Sequence, residues 1–197
     1  MFKRFWWVFL AMIPVGLIVG LFVAAVITYI MPKQYESEAV IELKPLPGDS
    51  ASSMTPQFFG NEFEKIKSRN SLGKVVDNLA LVEKWGLDKE AAIRILKGIV
   101  NTQNIRGTDL ISIRVRHTNK EDARDIAAEV GRAYKIYRAE ADSIVVHEEP
   151  QIAQSPVSPN VSLNLTLGTA LGFLLSFPLS LLVILLSNRL IPAKAVM

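Results

Sequence analysis

Chemistry in this chain of 197 residues has no thiol to draw on, because it contains no cysteine. His147 stands beside Glu148 and Glu149, and an imidazole near two carboxylates has the donor atoms for a divalent cation. The same three residues suit the exposed polar end of a strand, which is the better reading. His117, the other histidine, sits at a second strand end. Gly73-Lys74 is followed by Val75 and lacks the upstream glycine of a phosphate-cradling loop. Neither a Gly-x-Ser-x-Gly elbow nor a His-Glu-x-x-His pair occurs.

The remaining charged residues are patterned rather than clustered. Glu36, Glu38 and Glu42 alternate as a solvated strand face would. Arg106, Arg114, Arg116 and Lys120 form a candidate basic surface for an acidic partner, although a solvated sheet face explains them equally well. Asn160-Val-Ser and Asn164-Leu-Thr match a glycosylation sequon but border or enter an apolar run, and are read as chance. On these residues the chain is not an enzyme: no catalytic, cofactor-binding or metal-ligating residue is assigned.

Two apolar runs frame everything else. No charged residue lies between Arg4 and Lys33, nor between Glu149 and Arg189. A helix of about 24 residues rises roughly 36 Å, enough for a bilayer core of ~30 Å. The first run is too long for a signal-peptide h-region and lacks a clear cleavage site, so it reads as an uncleaved anchor. The expected boundaries are a tail at 1–4, a first span at 5–31, an external domain at 32–149, a Pro-rich linker at 150–162, a second span at 163–187 and a tail at 188–197. Between the spans remains room for one modest domain.

The net charge of +3 divides unevenly. Of 22 Lys and Arg, Lys3, Arg4, Arg189 and Lys194 lie outside the apolar runs, leaving 18 basic against 19 acidic residues between them. The basic balance therefore reports topology and not nucleic-acid affinity. Basic outer flanks place both termini in the cytoplasm and the loop outside, and Trp6, Trp7 and Tyr29 fit interfacial belts. Small residues recur at four-residue spacing: Gly16, Gly20 and Ala24 in the first span, and Gly168, Gly172, Ser176 and Ser180 in the second. Such rows let helix backbones approach closely in lipid, with either the other span or a neighbouring subunit as partner. Pro14 and Pro178 are expected to kink the spans.

In the loop, Tyr35, Ala39, Ile41 and Leu43 alternate with the glutamates as a strand with a core face. Pro45, Pro47 and Gly48 begin a loop running to Pro56. Phe58 to Leu81 is helical in character with a break at Ser68 to Ser71, and Trp85-Gly86 ends that region. Asp88 caps a short helix through Lys97. Val100 to Ile105 and Leu110 to His117 read as two strands around a hairpin-like connection, with Ile111, Ile113 and Val115 inward and Ser112, Arg114 and Arg116 outward. Thr118 and Glu121 form a capping box for a helix to about Ile144. Its narrow stripe is Ala123, Ala127, Val130, Tyr134, Tyr137, Ala141 and Ile144. Ile144 to Val146 are then a last short strand, expected to lie beside the first. The fold class is α+β (α/β), a small mixed sheet packed by helices between two transmembrane helices.

After Glu149 the chain reads Pro-Gln-Ile-Ala-Gln-Ser-Pro-Val-Ser-Pro. Pro150, Pro156 and Pro159 exclude a helix interior or a central strand there, leaving a stiff extended collar.

Four pieces together resemble one family. Tyr35-Glu-Ser-Glu-Ala follows the first span. Ser68-Arg69 precedes Leu72, Val75, Val76, Leu79 and Leu81. Thr108-Asp-Leu-Ile-Ser-Ile-Arg-Val-Arg-His-Thr leads to Ala123, Ala127 and Tyr134, and Ser155-Pro-Val-Ser-Pro-Asn precedes a Gly-containing span. The chain resembles the polysaccharide co-polymerases, the chain-length determinant (Wzz-like) family, in a short version without a kinase domain. The resemblance implies an inner-membrane homo-oligomer with no catalytic residues or cofactor. It would set the chain length, or promote assembly and export, of O-antigen, capsule or exopolysaccharide. The implied partners are further copies of itself, a membrane polysaccharide polymerase or export machinery, the lipid bilayer and, in some branches, a separate cytoplasmic tyrosine kinase. Two departures stand out. No long helical extension interrupts the external domain, and Ala153 occupies a position where the family often has proline. The competing reading is a two-span receptor or sensor subunit whose external domain binds a ligand.

Overall fold

The computed structural model describes residues 2–44, 55–137 and 144–190. Its elements run α1 (Phe2–Ile30), β1 (Tyr35–Leu43), α2 (Pro56–Ile66), α3 (Arg69–Asn78), α4 (Leu81–Trp85), α5 (Lys89–Ile99), β2 (Val100–Asn104), β3 (Leu110–His117), α6 (Lys120–Tyr137), β4 (Ile144–Glu148) and α7 (Val161–Leu190). They fall into two compact units, Lys33–Val157 and the pair of Met1–Pro32 with Ser158–Met197.

Helix ends in the first unit follow local polar chemistry. Thr55 Oγ1 accepts from Phe58 N–H at 3.3 Å and Pro56 opens α2, where its missing N–H costs nothing. Ser68 Oγ accepts from Ser71 N–H and Asp88 Oδ1 from Ala91 N–H, both at 3.2 Å. These caps start α5 at Lys89, as the sequence pattern expects, and place the helix break at Lys67–Ser68, at the edge of the expected Ser68–Ser71 window; a second break, not expected, separates α3 from α4 at Leu79–Ala80. α5 runs two residues beyond Lys97, to Ile99. Gly86 stops α4 at φ 64, a left-handed conformation that a side chain would oppose.

The α6 start differs from the expected capping box. Asn119 is the cap: its Oδ1 accepts from Glu121 N–H at 2.8 Å and Asp122 N–H at 3.0 Å. A carboxamide satisfies two otherwise orphaned first-turn donors there. α6 is described as far as Tyr137, and Ile144, expected to close the helical stripe, belongs to β4, where it stands opposite Leu43. Ala141 lies outside the described residues, as does most of the 45–56 loop.

The sheet is antiparallel throughout, in the order β2-β3-β1-β4, not mixed. Every pairing joins strands of opposite direction, so no parallel crossover is needed. β1 and β4 do pair, with an irregularity between Val40 and Ile41. The architecture of the unit is thus α+β.

Ala39, Ile41 and Leu43 from β1 and Ile111, Ile113 and Val115 from β3 form one wall of the core. α6 packs on that wall and on α3. Its buried face is wider than one stripe: Ile126 and Ala133 join Ala123, Ala127, Val130 and Tyr134, whereas Tyr137 is 39% exposed. The extra width follows from contact with a sheet on one side and a helix on the other. Each buried Leu, Ile or Val here contributes about 1.5–3 kcal/mol by leaving water.

One polar pair penetrates this core. Tyr134 of α6, fully buried, donates its hydroxyl to Glu62 of α2, which also accepts from Lys65 Nζ at 2.8 Å. A carboxylate that is 2% exposed keeps two partners, as burial requires.

Candidate functional site

Chemistry-bearing residues are dispersed. His117 stacks on Trp85 with ring centroids 6.0 Å apart and lies 3.7 Å from Asp122. His147 is exposed on β4. Among the described residues, no three His, Asp or Glu side chains come close enough to hold a metal ion.

Of the two readings of Arg106, Arg114, Arg116 and Lys120, the structure favours the solvated sheet face. Arg116 stands opposite Glu36 and Arg114 opposite Glu38 across β3 and β1. Their ion pairs close at 2.6 Å and 3.3 Å. Ser112, expected outward, is buried and donates to Glu38. Antiparallel register lines each cation up with an anion, leaving a balanced face that offers an acidic partner no net attraction. Lys120 lies 3.9 Å from Glu121, and only Arg106 of the four has no ion pair among the described residues.

The residues that do converge are small or form the collar. In the helix unit, α1 and α7 pack along their glycine rows. A Cβ placed on Gly16 would lie 2.5 Å from Gly172 O and 2.9 Å from Ser176 Cβ. One on Gly20 would lie 2.8 Å from Gly172 Cα and collide with Gly168 O. One on Gly168 would meet Ala24 Cβ, and one on Gly172 would meet Gly16 O. Backbone is therefore in direct contact with backbone at four glycines, an approach that any larger residue would prevent.

Two polar side chains on the same seam stand outside the small-residue pattern. Asn164 Nδ2 donates to Thr28 Oγ1 at 3.1 Å, and Thr28 Oγ1 donates to Ala24 O at 2.7 Å. In the sequence, the sequon pattern at Asn164 gives no sign of this contact. The better signal is that it is a carboxamide inside an uncharged apolar run, where a polar group needs a partner. Asn160, the other sequon residue, accepts from Leu163 N–H at 3.0 Å and so caps α7. Both helices are long and apolar enough to cross a membrane, over Trp6–Ile30 and Val161–Ser187.

In the strand unit the collar follows β4 along β1. Ser37 Oγ donates to Gln151 O at 2.7 Å, and Val157 N–H donates to Gln34 O at 2.8 Å. Pro150 and Pro156 lie in this stretch, which continues past the end of β4 beside the first half of β1. Pro159 follows a cis peptide bond to Ser158.

Residues 1–79 match the family described as Wzz, chain length determinant protein. That match takes in α1, β1, α2 and α3, and so bears out the resemblance carried by Tyr35-Glu-Ser-Glu-Ala and by Ser68 to Leu79. The other two pieces of the resemblance lie beyond it. No curated protein matches the chain.

Proposed function

We propose that this chain is a non-catalytic polysaccharide co-polymerase of a bacterial inner membrane, setting chain length or promoting assembly and export of a surface polysaccharide. The match of residues 1–79 to chain length determinant proteins carries this reading. In it, α1 and α7 are the two spans, both termini are cytoplasmic, and 32–149 form the external domain. Gly16, Gly20, Ala24, Gly168, Gly172 and Ser176 are the packing seam of the spans. The linker with Pro150, Pro156 and Pro159 returns the chain from the external domain to the second span.

A protein of this kind acts by holding others. Its partners are further copies of itself and a membrane polymerase or export complex, together with a separate cytoplasmic tyrosine kinase where the host encodes one. The test is deletion of the gene in its host, complementation with the full chain, and electrophoresis of the envelope polysaccharide. A changed amount or length distribution, restored by complementation, supports the reading; an unchanged profile overturns it.

A further inference from the structure

β4 covers only part of one side of β1. On the other side Leu43 N–H donates to Asp109 O at 3.0 Å. In an antiparallel ladder successive residues turn their main-chain groups to opposite sides, so those of Tyr35, Ser37, Ala39 and Ile41 also face β3. The N–H and C=O groups of Glu36, Glu38, Val40 and Glu42 face away from it. There Glu42 is met by Val145 and Val40 by Glu148. Glu36 and Glu38 are met by the collar, and their main-chain groups make no hydrogen bond to it among the described residues.

A mismatch in length opens this gap. Between the Val40–Glu148 pair and the 2.8 Å bond from Val157 N–H to Gln34 O, residues 35–39 have the longer stretch 149–156 alongside them. The collar bows away from the strand, and Pro150 and Pro156 have no N–H with which to close the ladder. It is tied back where Ser37 Oγ donates to Gln151 O at 2.7 Å. A cavity of about 670 Å³ remains, lined by Glu36, Ser37 and Glu38 on one side and by residues 148–153 on the other. Ligand sites occupy roughly 300–1,000 Å³.

The lining holds four carboxylates and no cation. Glu36 and Glu38 are matched by Arg116 and Arg114 on the outer sheet face. Glu148 and Glu149 are exposed and have no ion pair among the described residues. The gap is therefore negative on balance.

We propose that this gap takes a short extended segment of another protein, added to β1 as a further strand and carrying Lys or Arg at two alternate positions. The free groups of Glu36 and Glu38 repeat at the two-residue spacing with which an added strand pairs. A saccharide has no main chain of that repeat. Residues of the segment opposite Glu36 and Glu38 share their face of the sheet, where opposite charge is favoured. The residue between them faces inward beside Ser37 and its tie to Gln151, and must be small. The inference goes beyond the polysaccharide reading and does not depend on it.

The test uses the full chain, isotope-labelled in detergent, and nuclear magnetic resonance of single amides. In the free chain the Glu36 and Glu38 amides are expected to exchange with solvent at least about tenfold faster than those of Ser37 and Ala39, which face β3. The probe is the peptide Thr-Lys-Ser-Lys-Thr. It should slow exchange at Glu36 and Glu38 and shift resonances there and over 148–153. Methylating the peptide's backbone amides should abolish both effects, and so should replacing its lysines with glutamate. E148Q/E149Q changes two exposed side chains and should weaken binding about three- to tenfold, with the Ile111 and Ile113 amides reporting an intact sheet.

Glu36 and Glu38 amides already protected in the free chain would overturn the open edge. No binding, or equal binding of the methylated or glutamate peptide, would overturn the added strand. A maltooligosaccharide that shifts the same residues where the peptide does not would make this a saccharide site and overturn the proposal too. The gene-deletion phenotype judges the polysaccharide reading separately.

Discussion

Glu36 of β1 and Arg116 of β3 occupy the same register position across the sheet, and Arg116 Nε reaches Glu36 Oε2 at 2.6 Å. Neighbouring Arg114 and Glu38 repeat the arrangement. What looks from β3 alone like a row of cations is half of a cross-strand ladder.

Exposed pairs of this kind contribute about 0.2–1 kcal/mol. The double variant Arg114→Ala/Arg116→Ala is therefore expected to lower stability by no more than about 2 kcal/mol in denaturant titration, taking two such pairs together. It should leave polysaccharide length unchanged in the host. Loss of length control with normal folding would restore the basic surface as a binding site.

Removal of the Tyr134 hydroxyl is a harsher change. Tyr134→Phe takes one partner from a carboxylate that is 2% exposed, and a buried acceptor losing its donor costs about 1–3 kcal/mol. Unfolding of the full chain in detergent should report that loss. A fall of less than ~0.5 kcal/mol would mean that Lys65 alone satisfies Glu62.

Gly172 tests the helix seam. Gly172→Val places methyl groups where Gly16 O and Gly20 Cα already lie. The helices must separate, and overpacking of this kind costs about 1–3 kcal/mol or more. Trp6 and Trp7 lie in the first apolar helix, and an earlier thermal transition in their fluorescence is the expected readout. Gly60→Val is the matched control, since a Cβ there meets nothing within 4 Å.

Thr28 and Asn164 should behave as a coupled pair. A double-mutant cycle of Thr28→Val and Asn164→Leu is expected to give a coupling of roughly 0.6 kcal/mol, the average for hydrogen bonds between helices in lipid, with a ceiling near 1.7. Additive single effects would show that the 3.1 Å contact does not persist in the membrane.

Legibility from sequence tracks the distance over which each decision is made. Ser68 and Asp88 mark helix starts within three residues, so their caps are readable locally. Asn119 is adjacent to Thr118 and equally polar, and only the backbone path selects the carboxamide. The glycine rows are visible as composition, but that α7 of the same chain fills the α1 row is a fact about pairing. The same holds for Thr28 with Asn164 and for Glu36 with Arg116, contacts spanning 136 and 80 residues. Period-two alternation identified β1 and β3 as strands, yet nothing in it states their direction, and hence the sheet was expected to be mixed.

The central place of β1 has a consequence for the order of synthesis. β1 is made first among the strands, yet its partners β3 and β4 begin at Leu110 and Ile144. Until those residues leave the ribosome, Ala39, Ile41 and Leu43 have no wall to join, and neither edge of β1 is paired. Contacts this distant in sequence form late because loop closure precedes any gain from burial. On the proposed function, in which α1 is a membrane span, that helix is complete well before the domain that follows it can fold, so anchoring would precede folding by about a hundred residues of translation, or roughly 5–20 s.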